Sequence, residues 1–143
     1  MTYDRENSLG YQTNLAARLF VRAIERRLAG GSAGPMPVFL ALQDGAAMTQ
    51  TALARQASVE QPTMANTLAR MERDGLIERT PDPDDKRSAL VRLTDLGRTR
   101  SEQALASAME VNDMAAATLS PEEQRLYFDF TRRIVEALTK DGD

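Results

Sequence analysis

The sequence predicts a mostly helical fold that carries one small β-hairpin, and three observations lead to it. Apolar residues recur at spacings of three and four along most of the 143 residues, which is the period of an amphipathic helix. Two short runs of strand-forming residues, 76–80 and 89–93, flank a segment rich in proline and aspartate. The chain has no cysteine for a disulfide, and its length suits a single domain over residues 1–143.

The composition also excludes several classes of function. With neither histidine nor cysteine, zinc and copper sites and Ser-His or Cys-His catalysis are not expected, so we predict no enzyme, no metal and no cofactor. Glu122 and Glu123 are adjacent carboxylates, but helix capping explains them. No segment approaches the roughly 20 apolar residues of a membrane span. The N-terminus is polar and has no signal core, so we expect a cytoplasmic protein.

Two helices are predicted before the centre of the chain. The first spans residues 9–30 and ends at a glycine pair. Its apolar stripe consists of Leu15, Leu19, Phe20, Ile24 and Leu28. This stripe is interpreted as core, with contact to another subunit as the alternative. A linker with two prolines leads into a short helix over residues 36–43, which is apolar nearly all round and should be buried. Its apolar residues are Val38, Phe39, Leu40 and Leu42.

The central stretch predicts two helices joined by a tight turn. Thr49 is a plausible N-cap for a helix over residues 50–57, and the turn comprises residues 58–60. The second helix spans residues 61–74, with a proline in its first turn and Gly75 after its end. Its apolar face consists of Met64, Leu68 and Met71.

The two predicted strands follow, and residues 81–88 between them should form a projecting tip. A helix, a turn, a second helix and a two-stranded hairpin, in this order, are typical of a winged helix-turn-helix. We therefore predict a winged helix-turn-helix lobe over residues 36–94. Two strands alone are marginal, so the hairpin must pack on the helices.

Two further helices are predicted after the hairpin, over residues 95–117 and up to residue 139. Ser120, Pro121 and Glu123 form a capping box with proline at the first helical position. The stripe of the last helix consists of Leu126, Tyr127, Phe130, Ile134 and Leu138. A lobe of about 50 residues cannot cover the stripes of all three outer helices. We therefore predict that residues 9–30 and 95–139 are dimerisation helices of a two-fold dimer. The alternative is a monomeric bundle.

Three motifs resemble those of MarR-type transcription regulators. Residues 85–94, DKRSALVRLT, resemble the family's wing signature, which is Asp, any residue, Arg, then an apolar strand ending in Leu-Thr. Residues 71–77, MERDGLI, resemble the exit of its recognition helix, and residues 49–54, TQTALA, resemble the start of its helix-turn-helix. The chain departs from the family's common residues at Ala52, Ala65, Asn66 and in the linker 30–37. Without cysteine and histidine, the oxidant-sensing and zinc-binding modes of some members do not apply.

The resemblance implies a sequence-specific regulator, most often a repressor, that binds double-stranded DNA with a pseudo-palindromic operator. Arg87 on the wing would enter a minor groove, with Asp85 holding its side chain, and Lys86 would contact phosphate. An ordinary surface ion pair is the alternative. On the second helix of the motif, Asn66 suits adenine and Arg70 suits guanine or phosphate. A solvated helix face is the alternative there. The predicted DNA-binding residues are Gln61, Thr63, Asn66, Arg70, Arg73, Asp85, Lys86 and Arg87.

The charge balance tempers this prediction. The chain carries a formal net charge of −3, while residues 49–100 contain nine basic and eight acidic side chains, a net charge of +1. We therefore expect a modest DNA affinity that salt weakens. The competing hypothesis is a winged-helix scaffold that docks a protein, although such a face should present apolar anchors.

The resemblance further implies a small-molecule effector, often an aromatic acid or a phenol, bound between the dimer helices and the winged lobe. Release from DNA would then follow if the ligand favoured another spacing of the two recognition helices. Arg18 would pair with a ligand carboxylate. Core or interface packing is an equally good interpretation of the whole set. The predicted ligand-binding residues are Tyr11, Asn14, Arg18, Met36 and Phe39.

Overall fold

The computed structural model describes all residues from Met1 to Asp143, and it has six α-helices and one two-stranded antiparallel sheet. The prediction of a mostly helical fold with a small β-wing is confirmed. No helix is long and apolar enough to cross a membrane. The helices and strands are α1 (Leu9–Glu25), α2 (Met36–Ala41), α3 (Gln50–Ala57), α4 (Gln61–Arg73), β1 (Ile77–Asp82), β2 (Asp85–Leu93), α5 (Asp95–Ala116) and α6 (Pro121–Asp141).

The chain divides into two compact units, Met1–Ala108 and Met109–Asp143. The first contains α1 to α4, the hairpin and most of α5, and it holds a core to which α2, α3, α4, both strands and α5 contribute. A fully buried leucine side chain stabilises a fold by about 1.5–3 kcal/mol, so this core fixes the position of α4. Its residues are Val38, Phe39, Leu42, Leu53, Ala54, Met64, Leu68, Met71, Leu76, Ile77, Val91, Leu93 and Ala104.

The hairpin is longer than the sequence suggested. Its register runs from Ile77 opposite Leu93 to Asp82 opposite Asp85, with an irregularity at Pro81 and Asp82. The predicted eight-residue tip is therefore wrong, because residues 81–82 and 85–88 belong to the strands and two residues form the turn. Both strands of a two-stranded sheet are edges, where proline and charged side chains are tolerated.

The segment before α3 also pairs with β2. The backbone N–H of Met48 donates to the carbonyl of Val91 at 3.1 Å, and the N–H of Val91 donates to the carbonyl of Met48 at 2.8 Å. Val91 is fully buried. The hairpin is thus hydrogen-bonded to the start of the helix-turn-helix as well as packed on its core.

A compact junction joins the end of α4, the hairpin and the start of α5. The Thr94 hydroxyl donates to the carbonyl of Gly75 at 2.5 Å and accepts from the N–H of Gly97 at 3.0 Å. The N–H of Thr94 donates to the carbonyl of Leu76 at 3.0 Å. A Cβ atom on Gly97 would lie 1.9 Å from that same carbonyl oxygen, so only glycine fits there.

Two helix ends differ from the prediction in the first unit. Helix α1 ends at Glu25, and residues 26–28 continue as turns before the glycine pair. Helix α2 ends at Ala41 and is followed by a 3-10 turn over Gln43–Gly45. Along α2, Val38, Phe39 and Leu42 are buried as expected, but Leu40 is half exposed. The stripe of α1 is mostly half-buried rather than core.

The second unit contains the end of α5 and all of α6. Ser120 and Glu123 form the predicted capping box: the Glu123 N–H donates to the Ser120 hydroxyl at 3.1 Å, and the Ser120 N–H donates to Glu123 Oε1 at 2.8 Å. These hydrogen bonds, the backbone one first, lower the pKa of Glu123. No residue of α6 is buried. Along α5, the buried residues are Ser101, Ala104, Ser107 and Val111, whereas Leu96 and Asn112 are exposed.

Candidate nucleic-acid interface

The turn between α3 and α4 positions the candidate recognition helix. Thr49 caps α3 as predicted, its hydroxyl accepting from the N–H of Ala52 at 3.2 Å. Ser58 ends α3 in the left-handed conformation (φ 51°), and the N–H of Val59 donates back to the carbonyl of Ala54 at 2.9 Å. Val59, in the turn, packs against the core. Helix α4 therefore leaves the turn in a fixed direction.

Helix α4 has one buried and one exposed face. Met64, Leu68 and Met71 are buried at spacings of four and three, as predicted. Asn66 and Arg70, four residues apart, therefore share the opposite, exposed face with Arg73 three residues further on. Ala69 on the same side is small and also exposed, which allows close approach of another surface.

The polar groups on α4 differ in how they are held. Arg70 has no hydrogen bond or ion pair, whereas Arg73 Nε lies 3.4 Å from the carboxylate of Asp74, with both side chains exposed. Gln61 accepts a hydrogen bond from Gln50 Nε2 at 3.4 Å. Thr63 is exposed, and its hydroxyl makes no hydrogen bond. The Asn66 side chain is also exposed and makes no hydrogen bond, so Arg70, Asn66 and Thr63 are the side chains most available to a partner.

The wing presents a second exposed cation. The Asp85 carboxylate accepts from the backbone N–H of Arg87 at 3.0 Å and from its Nε at 3.2 Å, and these two hydrogen bonds, the backbone one first, lower the pKa of Asp85. The Arg87 side chain is nonetheless 91% exposed. Asp85 thus restrains the base of the guanidinium while its outer nitrogens face solvent. Lys86 beside it is exposed.

An ion pair that the sequence did not reveal connects α4 with the hairpin. Arg79 Nε donates to Glu72 Oε2 at 3.0 Å, and the Arg79 side chain is 33% exposed. This ion pair holds β1 against the last turn of α4. The two residues lie on either side of the turn at Gly75, and no local sequence pattern predicts that their side chains are in contact.

The predicted ligand-binding residues do not share one cavity. Tyr11 is half-buried, Asn14 donates from its amide to the carbonyl of Gly10 at 2.9 Å, and Arg18 is exposed. None of these three lines either of two cavities in the first unit. Phe39 lines one of them and Met36 lines the other.

The larger cavity, of about 630 Å³, is called the glycine-loop cavity. Its walls are the loop after α1 (residues 27–32), Phe39 of α2, Asp74 and Leu76 after α4, and residues 100–107 of α5. The smaller one, of about 420 Å³, is apolar and lies among α1, α2 and α3. Sequence reasoning missed the glycine-loop cavity because its walls come from four distant stretches of chain.

Comparison with known proteins agrees with this architecture. A sequence profile described as the MarR family matches residues 40–89. "Transcriptional regulator HosA" from Escherichia coli O111:H- is 38% identical over 104 residues, which cover 70% of this chain and 74% of that protein.

Solved structures share the fold at lower identity. PcaV from Streptomyces coelicolor, in complex with its natural ligand, has a TM-score of 0.85 at 23% identity and covers 96% of this chain and 99% of its own. A mutant MarR from E. coli complexed with operator DNA has a TM-score of 0.80 at 23% identity, with coverage of 88% and 92%. BpsR from Bordetella bronchiseptica, whose DNA binding is regulated by 6-hydroxynicotinic acid, has a TM-score of 0.82 at 22% identity, with coverage of 94% and 98%.

The fold and the exposed faces of α4 and the wing define a winged helix-turn-helix transcriptional regulator. The chain belongs to the MarR family. It is accordingly a regulator and not an enzyme, and the resemblance stated from its motifs is confirmed.

Proposed function

We propose that this protein is a homodimeric repressor that binds a pseudo-palindromic operator and is released from it by a small, aromatic ligand. The observation that carries the DNA-binding part is the pair of exposed cations, Arg70 on α4 and Arg87 on the wing, on elements that the core holds in fixed positions. A winged helix-turn-helix places its second helix in the major groove. A mutant MarR of this fold has been solved in complex with operator DNA.

On DNA, the solvent face of α4 would provide base and phosphate contacts. Asn66 suits adenine and Arg70 suits guanine or phosphate, while Gln61, Thr63 and Arg73 would contact base edges or the backbone. On the wing, Arg87 would enter the minor groove while Asp85 restrains it and Lys86 contacts phosphate. Because several neighbouring acids partly offset these cations, affinity should be modest and fall with salt.

A dimer follows from the uncovered face of α6. Leu126, Tyr127, Phe130 and Leu138 are between 45% and 66% exposed, although they form one apolar stripe. Contiguous apolar surface of this kind marks an interaction site. A second copy covers it with the same residues, and a two-fold dimer presents two α4 helices to two half-sites. Residues 9–30 and 95–139 remain the proposed dimerisation helices.

Ligand release is proposed from the relatives and from the cavities. PcaV binds a natural ligand and BpsR responds to 6-hydroxynicotinic acid, so an acidic aromatic compound is the class proposed here. The residues that the family resemblance indicates are Tyr11, Asn14, Arg18, Met36 and Phe39. A ligand that binds better to a non-binding spacing of the two α4 helices shifts the population away from DNA.

The test is fluorescence anisotropy on DNA from the protein's own promoter region, at two salt concentrations. Wild type should bind saturably and more weakly at high salt, and Arg87→Ala should weaken binding by roughly 1–3 kcal/mol. Arg125→Ala, on α6, is the matched control and should bind like wild type. Equal binding by wild type and Arg87→Ala would contradict the role of the wing.

The alternative of a protein-docking scaffold finds no support in the geometry. No large apolar side chain is exposed on α4 or on the hairpin. Protein interfaces are centred on buried apolar and aromatic anchors, which this face does not offer. If no promoter fragment binds while light scattering shows an intact dimer, the scaffold replaces the repressor as the leading hypothesis.

A further inference from the structure

A hydrogen bond joins the two glutamines that begin the helices of the helix-turn-helix. Gln50 is the first residue of α3 and Gln61 is the first residue of α4. Gln50 Nε2 donates to Gln61 Oε1 at 3.4 Å. We propose that Gln50 is a positioning residue for Gln61, and that this hydrogen bond directs the Gln61 amide at an adenine in the major groove. The inference rests on the DNA-binding part of the proposed function, which assigns no role to Gln50.

The position of Gln61 suits a contact with a base. In a helix-turn-helix, the N-terminal residues of the second helix contact base edges, while the first helix crosses the DNA backbone. Gln61 is exposed, and it lies three residues before buried Met64, on the side of α4 nearest α3. Asn66 and Arg70 lie on a different side of the helix. Gln61 should therefore meet a base pair that those two residues do not contact.

The groups that Gln61 has left to offer match adenine. A side-chain amide has an oxygen with two lone pairs and a nitrogen with two N–H donors. Gln50 occupies one lone pair of Gln61 Oε1, and Gln61 Nε2 makes no hydrogen bond within the protein. An acceptor beside a donor remains, which is the pattern that complements N6 and N7 of adenine. An amide turned the other way would place donor against donor.

The hydrogen bond between the two glutamines acts on orientation rather than on stability. It lies at the protein surface, where water competes for both amides, so its net contribution to the free energy of unfolding is small. It restricts the conformations of an exposed side chain before DNA arrives. Less rotamer freedom is then lost when Gln61 binds a base, and its oxygen already faces α3.

The backbone that carries Gln50 is itself held in place. The Thr49 hydroxyl caps the same turn of α3, and Met48 is paired with Val91 of the hairpin. Leu53, three residues after Gln50, is fully buried. The Gln50 side chain is half-buried, so its donor nitrogen is presented from a fixed helix end.

The first test is selection of bound duplexes from a random-sequence DNA pool by wild type, Gln50→Met and Gln61→Met. Methionine keeps the length of glutamine and removes its hydrogen-bonding groups. Wild type should prefer adenine at one position of each half-site by roughly tenfold or more, and Gln61→Met should lose that preference. Gln50→Met should lower it by roughly 2- to 10-fold at the same position and leave the other positions unchanged.

Gln56→Met is the matched control for Gln50→Met. Gln56 is an exposed glutamine on the same helix, and its side chain makes no hydrogen bond. This variant should select the same sequences as wild type.

Fluorescence anisotropy with the selected duplex separates positioning from a direct contact. If Gln50 acts through Gln61, Gln50→Met should weaken binding of the wild-type protein and have no further effect in a Gln61→Met background. Replacing the selected adenine by 7-deazaadenine removes its N7 acceptor. This change should weaken binding by wild type and leave binding by Gln61→Met unaltered.

Several outcomes would overturn the inference while the regulator proposal stands. An equal loss of affinity from Gln50→Met in both backgrounds would show that Gln50 contacts DNA by itself. An unchanged base preference in Gln50→Met, or a change at a position that Gln61→Met does not affect, would remove its positioning role. A preference for another base at that position would refute the adenine contact. If wild type enriches no sequence at all, the regulator proposal itself fails, and the role of Gln50 fails with it.

Discussion

The carboxylate of Asp85 does more than balance the charge of Arg87. It accepts the backbone N–H of Arg87 as well as its Nε, so it fixes the local backbone and the first part of the side chain together. An exposed ion pair alone contributes little to stability. The value of this pair lies in restricting the conformations of a side chain that is 91% exposed. Less rotamer freedom is then lost when the side chain binds.

The two hydrogen bonds from Arg87 predict the direction in which the pKa of Asp85 is shifted. Its pKa is lowered from the ordinary value of 3.8, so the carboxylate is the favoured form in the folded protein. A carboxyl group whose pKa is lower in the folded than in the unfolded protein stabilises the fold at pH values above the unfolded-state pKa. This stabilisation is lost as the pH falls through the folded-state pKa. The contact should thus be fully formed at neutral pH and be lost only below pH 3.8. Carboxyl ¹³C NMR should place the Asp85 midpoint below 3.8.

Arg87→Ala provides the control for that titration. It removes the side-chain hydrogen bond but keeps the backbone N–H, which is the larger cause of the shift. The Asp85 midpoint should therefore rise only part of the way to its ordinary value. A full return would show that the guanidinium, not the backbone, sets the pKa.

At the junction between the hairpin and α5, we expect the addition of a single methyl group at Gly97 to lower the free energy of unfolding. Gly97→Ala places Cβ 1.9 Å from the carbonyl oxygen of Leu76, which is backbone and cannot rotate away. Overpacking of this kind costs about 1–3 kcal/mol. Urea unfolding at one fixed protein concentration should show that loss.

Gly10→Ala is the matched control for Gly97→Ala. Gly10 lies in the first turn of α1, and the nearest atom to its added Cβ is the Ser8 hydroxyl at 4.0 Å. Alanine there should be neutral or slightly stabilising, because glycine costs roughly 0.5–1 kcal/mol in a helix. Equal unfolding midpoints for the two variants would mean that α5 shifts to relieve the contact at no cost.

The sequence predicted the helix-turn-helix well because its boundaries carry local chemistry. Thr49 caps α3, Pro62 suits the first turn of α4, and Gly75 takes the positive φ after its end. The exposed face of α4 follows from its buried face by elimination. These signals lie within a few residues of the structure that they specify.

The remaining elements were harder because distant contacts decide them. Asp85 and Lys86 are of residue types with low strand propensity, yet β2 begins at Asp85, which pairs with Asp82 of β1. On α5, buried Ser101 and Ser107 carry no hydrophobic signal, and their small size is what allows close packing. The glycine-loop cavity has walls from four separated stretches, so no window of sequence contains it.

At the scale of the whole molecule, the exposed apolar stripe of α6 predicts a dimer in which α6 forms part of the interface. Leu126→Asp/Phe130→Asp introduces two charges into the exposed apolar stripe, and burying an unpaired charge is costly. Light scattering should show the mass of a dimer for wild type and of a monomer for the double variant. Arg125→Asp/Arg132→Asp, off that stripe, is the control and should stay dimeric. A dimeric stripe variant would contradict the assignment of α6 to the interface.

The pairing of Met48 with Val91 has a consequence for how the protein opens. The Val91 amide belongs to a fully buried residue and donates to the carbonyl of Met48, a residue in front of α3. Solvent reaches that amide only after β2 separates from the segment that begins the helix-turn-helix. The turn of the hairpin can fray without disturbing the rest of the domain. Breaking the hydrogen bond between Val91 and Met48 instead separates β2 from the helix-turn-helix. We therefore expect the wing and the helix-turn-helix to unfold as one cooperative unit.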